Sequence, residues 1–166
     1  MRAAVLILFL ASSLAFGGCL MRQRTGKDGK GPEISMDNSE ISVSIHADEA
    51  ELLSGVAITD EDSLHRAADA LLATGLRRVF ISLGSDGVFA ADHSARLHLP
   101  VLPAHMRNTT GCGDAFMAAI AWAYLQGTDL RGTALAGLAA SAIAMEGAGT
   151  INPALGVQAL KERSGL

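Results

Sequence analysis

The stretch from Arg107 to Gly127, RNTTGCGDAFMAAIAWAYLQG, sets two glycines, a cysteine and an aspartate ahead of a long apolar run. The run from Ala115 to Gln126 predicts a helix, so the glycines fall just before its first turn. A helix start exposes unpaired backbone N–H groups and about half a positive charge, which together favour an anion. Gly111 and Gly113 remove the side chains that would hold a phosphate away from those groups. Asp114 then stands where the helix begins. It has two readings, a cap worth about 1 kcal/mol or a base for a nearby hydroxyl. Capping leaves the glycines and the pair Thr109 and Thr110 unexplained. Cys112 also has two readings, a thiol activated at a helix start or a small apolar packing residue, and the second is the commoner.

Known nucleotide loops do not account for this pattern. No lysine follows the glycines, so the P-loop spacing is absent, and the third glycine of a dinucleotide fingerprint would fall on Phe116. Three other stretches carry candidate polar or glycine positions. These are ISLGSDGVF with Ser82, Gly84 and Gly87, HADEAELLSG with Glu49, and GAGTINPALG with Asn152. Each has an ordinary turn, strand or solvated-helix reading beside the functional one. His65, His93, His98 and His105 have no ligand spacing.

The elements that must position these residues follow from periodicity. ISVSI, Ile41 to Ile45, alternates as a short strand, and Ala47 to Gly55 reads as a helix stopped by glycine. From Thr59 to Gly75, Thr59 and Asp60 are cap candidates, and Leu64, Ala67, Ala68, Leu71 and Leu72 share one face. Arg77 to Gly84 is a buried-strand run. GVFAAD and ARLHLPV predict two more strands, with turns at Ser85-Asp86-Gly87 and Asp92-His93-Ser94. Helices are expected at Ala115–Gln126, Leu130–Met145 and Val157–Arg163. Strands interleaved with helices imply an α/β layered fold.

The chain has 166 residues, 49% of them apolar, and a net charge of −4, enough for one core and without the basic clusters that nucleic acid requires. Its two cysteines, Cys19 and Cys112, form neither a disulfide framework nor a zinc motif. The expected division is 1–19 as a signal-like apolar segment, 20–40 as a flexible linker and 41–166 as the folded part. Met1-Arg2, the apolar run Ala3 to Phe16 and the small residues before Cys19 resemble a secretion or lipoprotein signal; an apolar strand or helix, or a start codon placed upstream of the true domain, is the alternative. The run is shorter than the roughly 20 apolar residues of a membrane span.

Asn108-Thr109-Thr110-Gly111-Cys112-Gly113-Asp114, followed by the small residues Ala118 and Ala119, resembles the C-terminal signature of the ribokinase-like (PfkB) carbohydrate kinases, with Cys112 in an alanine position. HADEAELLSG resembles the family's N-x-x-E segment, with His46 in place of asparagine, and ISLGSDGVF and GAGTINPALG resemble its two nucleotide loops in the right order. The wording around Asn108, Glu49 and Asn152-Pro153 is most similar to pseudouridine kinases. The resemblance implies a three-layer α/β/α ribokinase-like fold, of which the C-terminal portion is present and the sheet is incomplete. It also implies ATP-dependent phosphoryl transfer to an alcohol of a sugar or nucleoside, the chain being a truncated member. An inactive kinase remnant or gene-model fragment and an exported binding module are the alternatives. In the kinase reading Asp114 is the base, and the N–H groups of Gly111, Cys112 and Gly113 form the anion hole. Thr109, Thr110, Ser82, Gly84, Gly87 and Asn152 contact nucleotide, and Glu49 orders Mg²⁺, with a monovalent cation as a further option. The expected partners are ATP and the small-molecule acceptor, with either a homo-oligomer or a second chain supplying the missing half. A cytoplasmic location follows from the family, and export from the signal-like start.

Overall fold

The computed structural model describes residues 7–8 and 42–166. The expected linker and most of the signal-like segment lie outside the described residues. Ile7 and Leu8 form a two-residue strand, β1, paired in parallel with Ser42 and Val43. The elements that follow are β2 Ser42–His46, α1 Ala47–Ser54, α2 Glu61–Leu72, β3 Arg78–Ser82, β4 Val88–Asp92, β5 Arg96–Leu99, α3 Cys112–Leu125, α4 Leu130–Met145 and α5 Val157–Ser164. The sheet is mixed and runs β1-β2-β3-β4-β5; the first three strands are parallel and the last two antiparallel.

Helices cover both faces, which gives three layers. On one face Leu64, Ala68, Leu71 and Leu72 of α2 pack on Ile45, Val79, Ile81 and Phe89. On the other, Phe116 and Ile120 of α3 with Leu130, Ala134 and Leu138 of α4 pack on Phe80, Val88, Ala90 and Leu99. Coverage from both sides explains why Val79, Phe80 and Ile81 are all buried in succession. It also covers the polar positions of β2, a strand expected from its alternation. Ser42 and Ser44 are buried, and the Ser42 hydroxyl has no hydrogen-bond partner among the described residues.

Local chemistry sets the helix ends. Asp60 and Ser63 close a reciprocal capping box at the start of α2, and His46 with Glu49 does the same for α1. α3 and α4 meet through alanines, Ala115, Ala119 and Ala123 against Ala136, Ala139 and Ala140, so their axes approach closely. At Gly137 a Cβ would lie 2.6 Å from the ring of Phe116, so only glycine admits that ring. Among the described residues no helix is long and apolar enough to cross a membrane.

Candidate functional site

The parallel strands β2 and β3 end at His46 and Ser82, on the edge of the sheet where open α/β folds bind ligands. A cavity of about 900 Å³ opens there. Its sides are the carboxyl ends of β2 and β3, the first turn of α3, one face of α4 and the loop from Val101 to Met106. Eight of the eleven residues singled out in the sequence line it: Glu49, Ser82, Gly84, Gly87, Thr109, Cys112, Gly113 and Asp114. No lysine or arginine is among the described residues that line it.

The glycine loop is built from its ends inward. The amides of Arg107 and Asn108 both donate to the Met145 carbonyl at the end of α4, at 2.9 and 3.2 Å. The Asn108 side chain accepts the amide of Thr110 at 3.0 Å, turning the chain. Gly111 follows in the left-handed conformation, φ 85°, and caps α3 with no side-chain hydrogen bond. A Cβ on it would meet the Thr150 carbonyl oxygen at 2.6 Å, so Gly111 also lets the late loop pack against this one. Gly113 is different: a Cβ there would meet nothing within 4 Å, and the space beside it belongs to the cavity.

α3 therefore begins at Cys112, three residues before the expected start, and Asp114 is its third residue rather than its cap. The Asp114 carboxylate is exposed and makes no hydrogen bond or ion pair with any described residue. The capping reading does not describe it. Of the three amides expected to form the anion hole, that of Cys112 already donates to the Thr109 carbonyl at 3.3 Å, whereas those of Gly111 and Gly113 have no protein acceptor among the described residues. Burial pushes the Cys112 thiol up, away from the thiolate, and its carbonyl accepts the Ser141 hydroxyl of α4 at 3.0 Å. The packing reading of this cysteine fits both observations.

Across the cavity, Glu49 Oε2 accepts the His46 amide at 2.9 Å, and His46 Nδ1 accepts the Asp48 amide at 3.5 Å. Glu49 is thus a cap with one carboxylate oxygen left over. His46 stands where an asparagine cap would serve equally, so the cap survives the exchange. Ser82 donates to the Ile45 carbonyl at 3.3 Å, which ties β3 to β2 at the cavity floor. Gly87 has φ 95° and would place a Cβ 2.0 Å from the Leu99 carbonyl, so its glycine is demanded by the hairpin itself.

The sequence from residue 43 to residue 155 matches the family model of the pfkB family carbohydrate kinases. The chain belongs to this family. It is 31% identical over 110 residues to the pseudouridine kinase of Escherichia coli, covering 66% of this chain and 35% of that protein. The crystal structure of a Clostridium perfringens protein assigned as a sugar kinase superposes with a TM-score of 0.71 at 27% identity, over 77% of this chain and 41% of that one. The ribokinase of Arabidopsis thaliana, complexed with ribose and ATP, has the same fold, with a TM-score of 0.69, 22% identity, and coverage of 78% of this chain and 42% of that one. The chain spans about a third of the length of the curated relatives it matches.

Within the pfkB frame three expected nucleotide or anion positions do not line the cavity. Gly111 acts behind the loop, as described. Thr110 is exposed outside it. Asn152 has both side-chain ends engaged by protein: Nδ2 donates to the Ile143 carbonyl at 2.6 Å, and Oδ1 accepts the Ala154 amide at 3.0 Å. It ties the late loop to the end of α4, a structural duty that replaces the expected ligand contact. Sequence reasoning missed Ser141, because one serine in an alanine-rich helix carries no local signal. It also missed the wall from Val101 to Met106, which forms no strand.

For magnesium, no group of three or more acidic, histidine or cysteine side chains is assembled among the described residues. The cavity offers the free oxygen of Glu49 as a metal ligand. That donor fits Mg²⁺, which uses one or two carboxylates and keeps water and substrate phosphate as its other ligands.

Proposed function

We propose that this chain carries the phosphate-binding and proton-accepting part of an ATP-dependent kinase acting on an alcohol of a sugar or nucleoside. The observation that carries the reading is the first turn of α3, where an unpartnered Asp114 and the bare backbone of Gly113 border a cavity of about 900 Å³. In the reaction the acceptor oxygen bonds to the γ-phosphorus, the bond from that phosphorus to the β–γ bridging oxygen breaks, and ADP leaves. The acceptor proton passes to Asp114. Such a transfer asks the protein for alignment and charge stabilisation. The free amides at the start of α3 supply part of it and Thr109 adds a hydroxyl. With no lysine or arginine among the described lining residues, Mg²⁺ near Glu49 would supply positive charge that phosphate needs.

A pyrimidine nucleoside such as pseudouridine is the acceptor class that the Escherichia coli relative supports, with ribose-like sugars as the comparison set. A homo-oligomer or a second chain would complete the acceptor side of the cavity. A monovalent cation belongs to the reading only as an accessory near the Thr150 loop, with Asn152 not among its ligands. A cytoplasmic location, where ATP is supplied, belongs to this reading.

The test is transfer from ATP and Mg²⁺ to pseudouridine, ribose, fructose and adenosine by the wild-type chain and by Asp114→Asn. The expected result is transfer that falls by about 10²–10⁴ in the variant while ATP affinity stays within about threefold. ATP bound without transfer to any acceptor would support a nucleotide-binding remnant, and equal transfer by Asp114→Asn would reject Asp114 as the base.

A further inference from the structure

The segment from Val101 to Asn108 forms a wall of the cavity and leads straight into the glycine loop, yet no strand pairs with it. Its anchors come from the far ends of α4 and α5. Arg163, in the last turn of α5, donates through Nη2 to the Pro103 carbonyl at 2.6 Å and to Glu146 Oε1 at 2.6 Å. Glu146, the C-cap of α4, also accepts the His105 amide at 3.4 Å through the same oxygen. One guanidinium and one carboxylate thus hold two main-chain groups of the wall, next to the paired bonds of Arg107 and Asn108 to Met145.

We propose that Arg163 and Glu146 form a latch that positions the Val101–Asn108 wall and thereby sets the affinity of the cavity for nucleotide. The inference rests on the kinase reading above. An ion pair between side chains 34% and 31% exposed contributes little by itself. Here each partner is also spent on the main chain of a segment that lacks a sheet ladder, and charge-assisted bonds are the stronger kind. Asp114 sits on a helix that Phe116 and Ile120 anchor to the sheet, and neither Arg163 nor Glu146 bonds to it. Loss of the latch therefore alters binding and leaves the transfer step alone. Arg163 is a positioning residue, remote from the reacting atoms.

The experiment uses the full chain, Arg163→Met, which keeps the apolar stem, and Arg163→Lys, which keeps the charge and more than one donor. Hydrogen exchange at the His105, Arg107 and Asn108 amides reads the wall without any ligand, and calorimetric titration with ATP and Mg²⁺ reads the site. In Arg163→Met we expect exchange at those amides to quicken about tenfold while the middle of α4 is unchanged. ATP binding should weaken about fivefold and turnover at saturating ATP stay within about twofold, with Arg163→Lys recovering most of the loss. Unchanged exchange, unchanged ATP affinity, or a loss of turnover at saturating ATP would each overturn the proposal. A wild-type chain that binds no ATP would overturn the kinase reading and the ligand half of this one, and the exchange measurement would still decide the latch.

Discussion

Gly111 and Gly113 differ by two positions and separate what the fold requires from what a ligand requires. Gly111 has φ 85° and would drive a Cβ to 2.6 Å from the Thr150 carbonyl oxygen, so Gly111→Ala adds left-handed strain to a backbone clash and should cost about 2–4 kcal/mol. Gly113 lies inside α3 with an ordinary helical backbone and nothing within 4 Å of a Cβ. Gly113→Ala should stabilise the chain by up to about 0.5–1 kcal/mol, because alanine loses less entropy in a helix. The methyl group would occupy the space through which a phosphate oxygen reaches the amide. Losing one hydrogen bond to a charged group costs about 1.5–3 kcal/mol, a weakening of about 10- to 100-fold. Thermal melts run beside ATP titration in the presence of Mg²⁺ measure both effects on the same samples. The expected pattern is opposite in sign: Gly111→Ala melts early, whereas Gly113→Ala melts at or above wild type and binds ATP poorly. A Gly113→Ala protein that binds ATP as wild type does would refute the assignment of that space to phosphate.

Asp114→Asn should lower the melting temperature by no more than about 3 °C, since the carboxylate has no partner among the described residues and loses only its attraction to the helix start, and a larger drop would show a structural duty. Gly137→Ala should destabilise by about 1–3 kcal/mol in a denaturant titration, its Cβ meeting the Phe116 ring at 2.6 Å, and Phe116→Leu should recover part of that loss. At the β4–β5 turn, burial pushes the Asp92 carboxyl up, but hydrogen bonds from Ser94 and Ala95, with the charge of Arg78, outweigh it and hold the group below its ordinary 3.8. A carboxyl held low in the folded state stabilises fully above its unfolded value and loses that contribution as pH falls through the folded one. The urea midpoint of Asp92→Asn should therefore approach that of wild type below about pH 3.8 and fall short of it at neutral pH.

The helices were legible where a cap and a stripe agree. Asp60 and the row Leu64, Ala68, Leu71 and Leu72 specify α2 locally, and the structure buries those side chains. β3 was legible as an uninterrupted apolar run. β2 was legible as a strand, but alternation states which residues are polar and not whether a second layer covers them. Helices on both sides of the sheet bury Ser42 and Ser44 all the same. The start of α3 was misplaced for a comparable reason. A glycine ends or begins a helix depending on its φ, and Gly111 has φ 85° with the Thr150 carbonyl, 39 residues downstream, in the space of a Cβ.

The site shows the same division between local and distant causes. Asp114, Gly113 and Thr109, which line the cavity, were singled out because the anion-binding logic of a helix start is written in consecutive residues. Asn152 looked equally suited to a ligand, but an asparagine beside a proline in a glycine-bearing loop has one local pattern for two jobs. The carbonyl of Ile143 claims its side chain at 2.6 Å. Arg163 and Glu146 left no pattern at all, since nothing in their spacing says that both reach the cavity wall. Of the three glycines lining the cavity, Gly84 and Gly87 have positive φ and are needed by the β3–β4 turn. Gly113 has neither positive φ nor a neighbour that a side chain would strike, and its helix would be more stable with alanine. The described residues give no folding reason for that glycine, and a phosphate in the cavity would supply one.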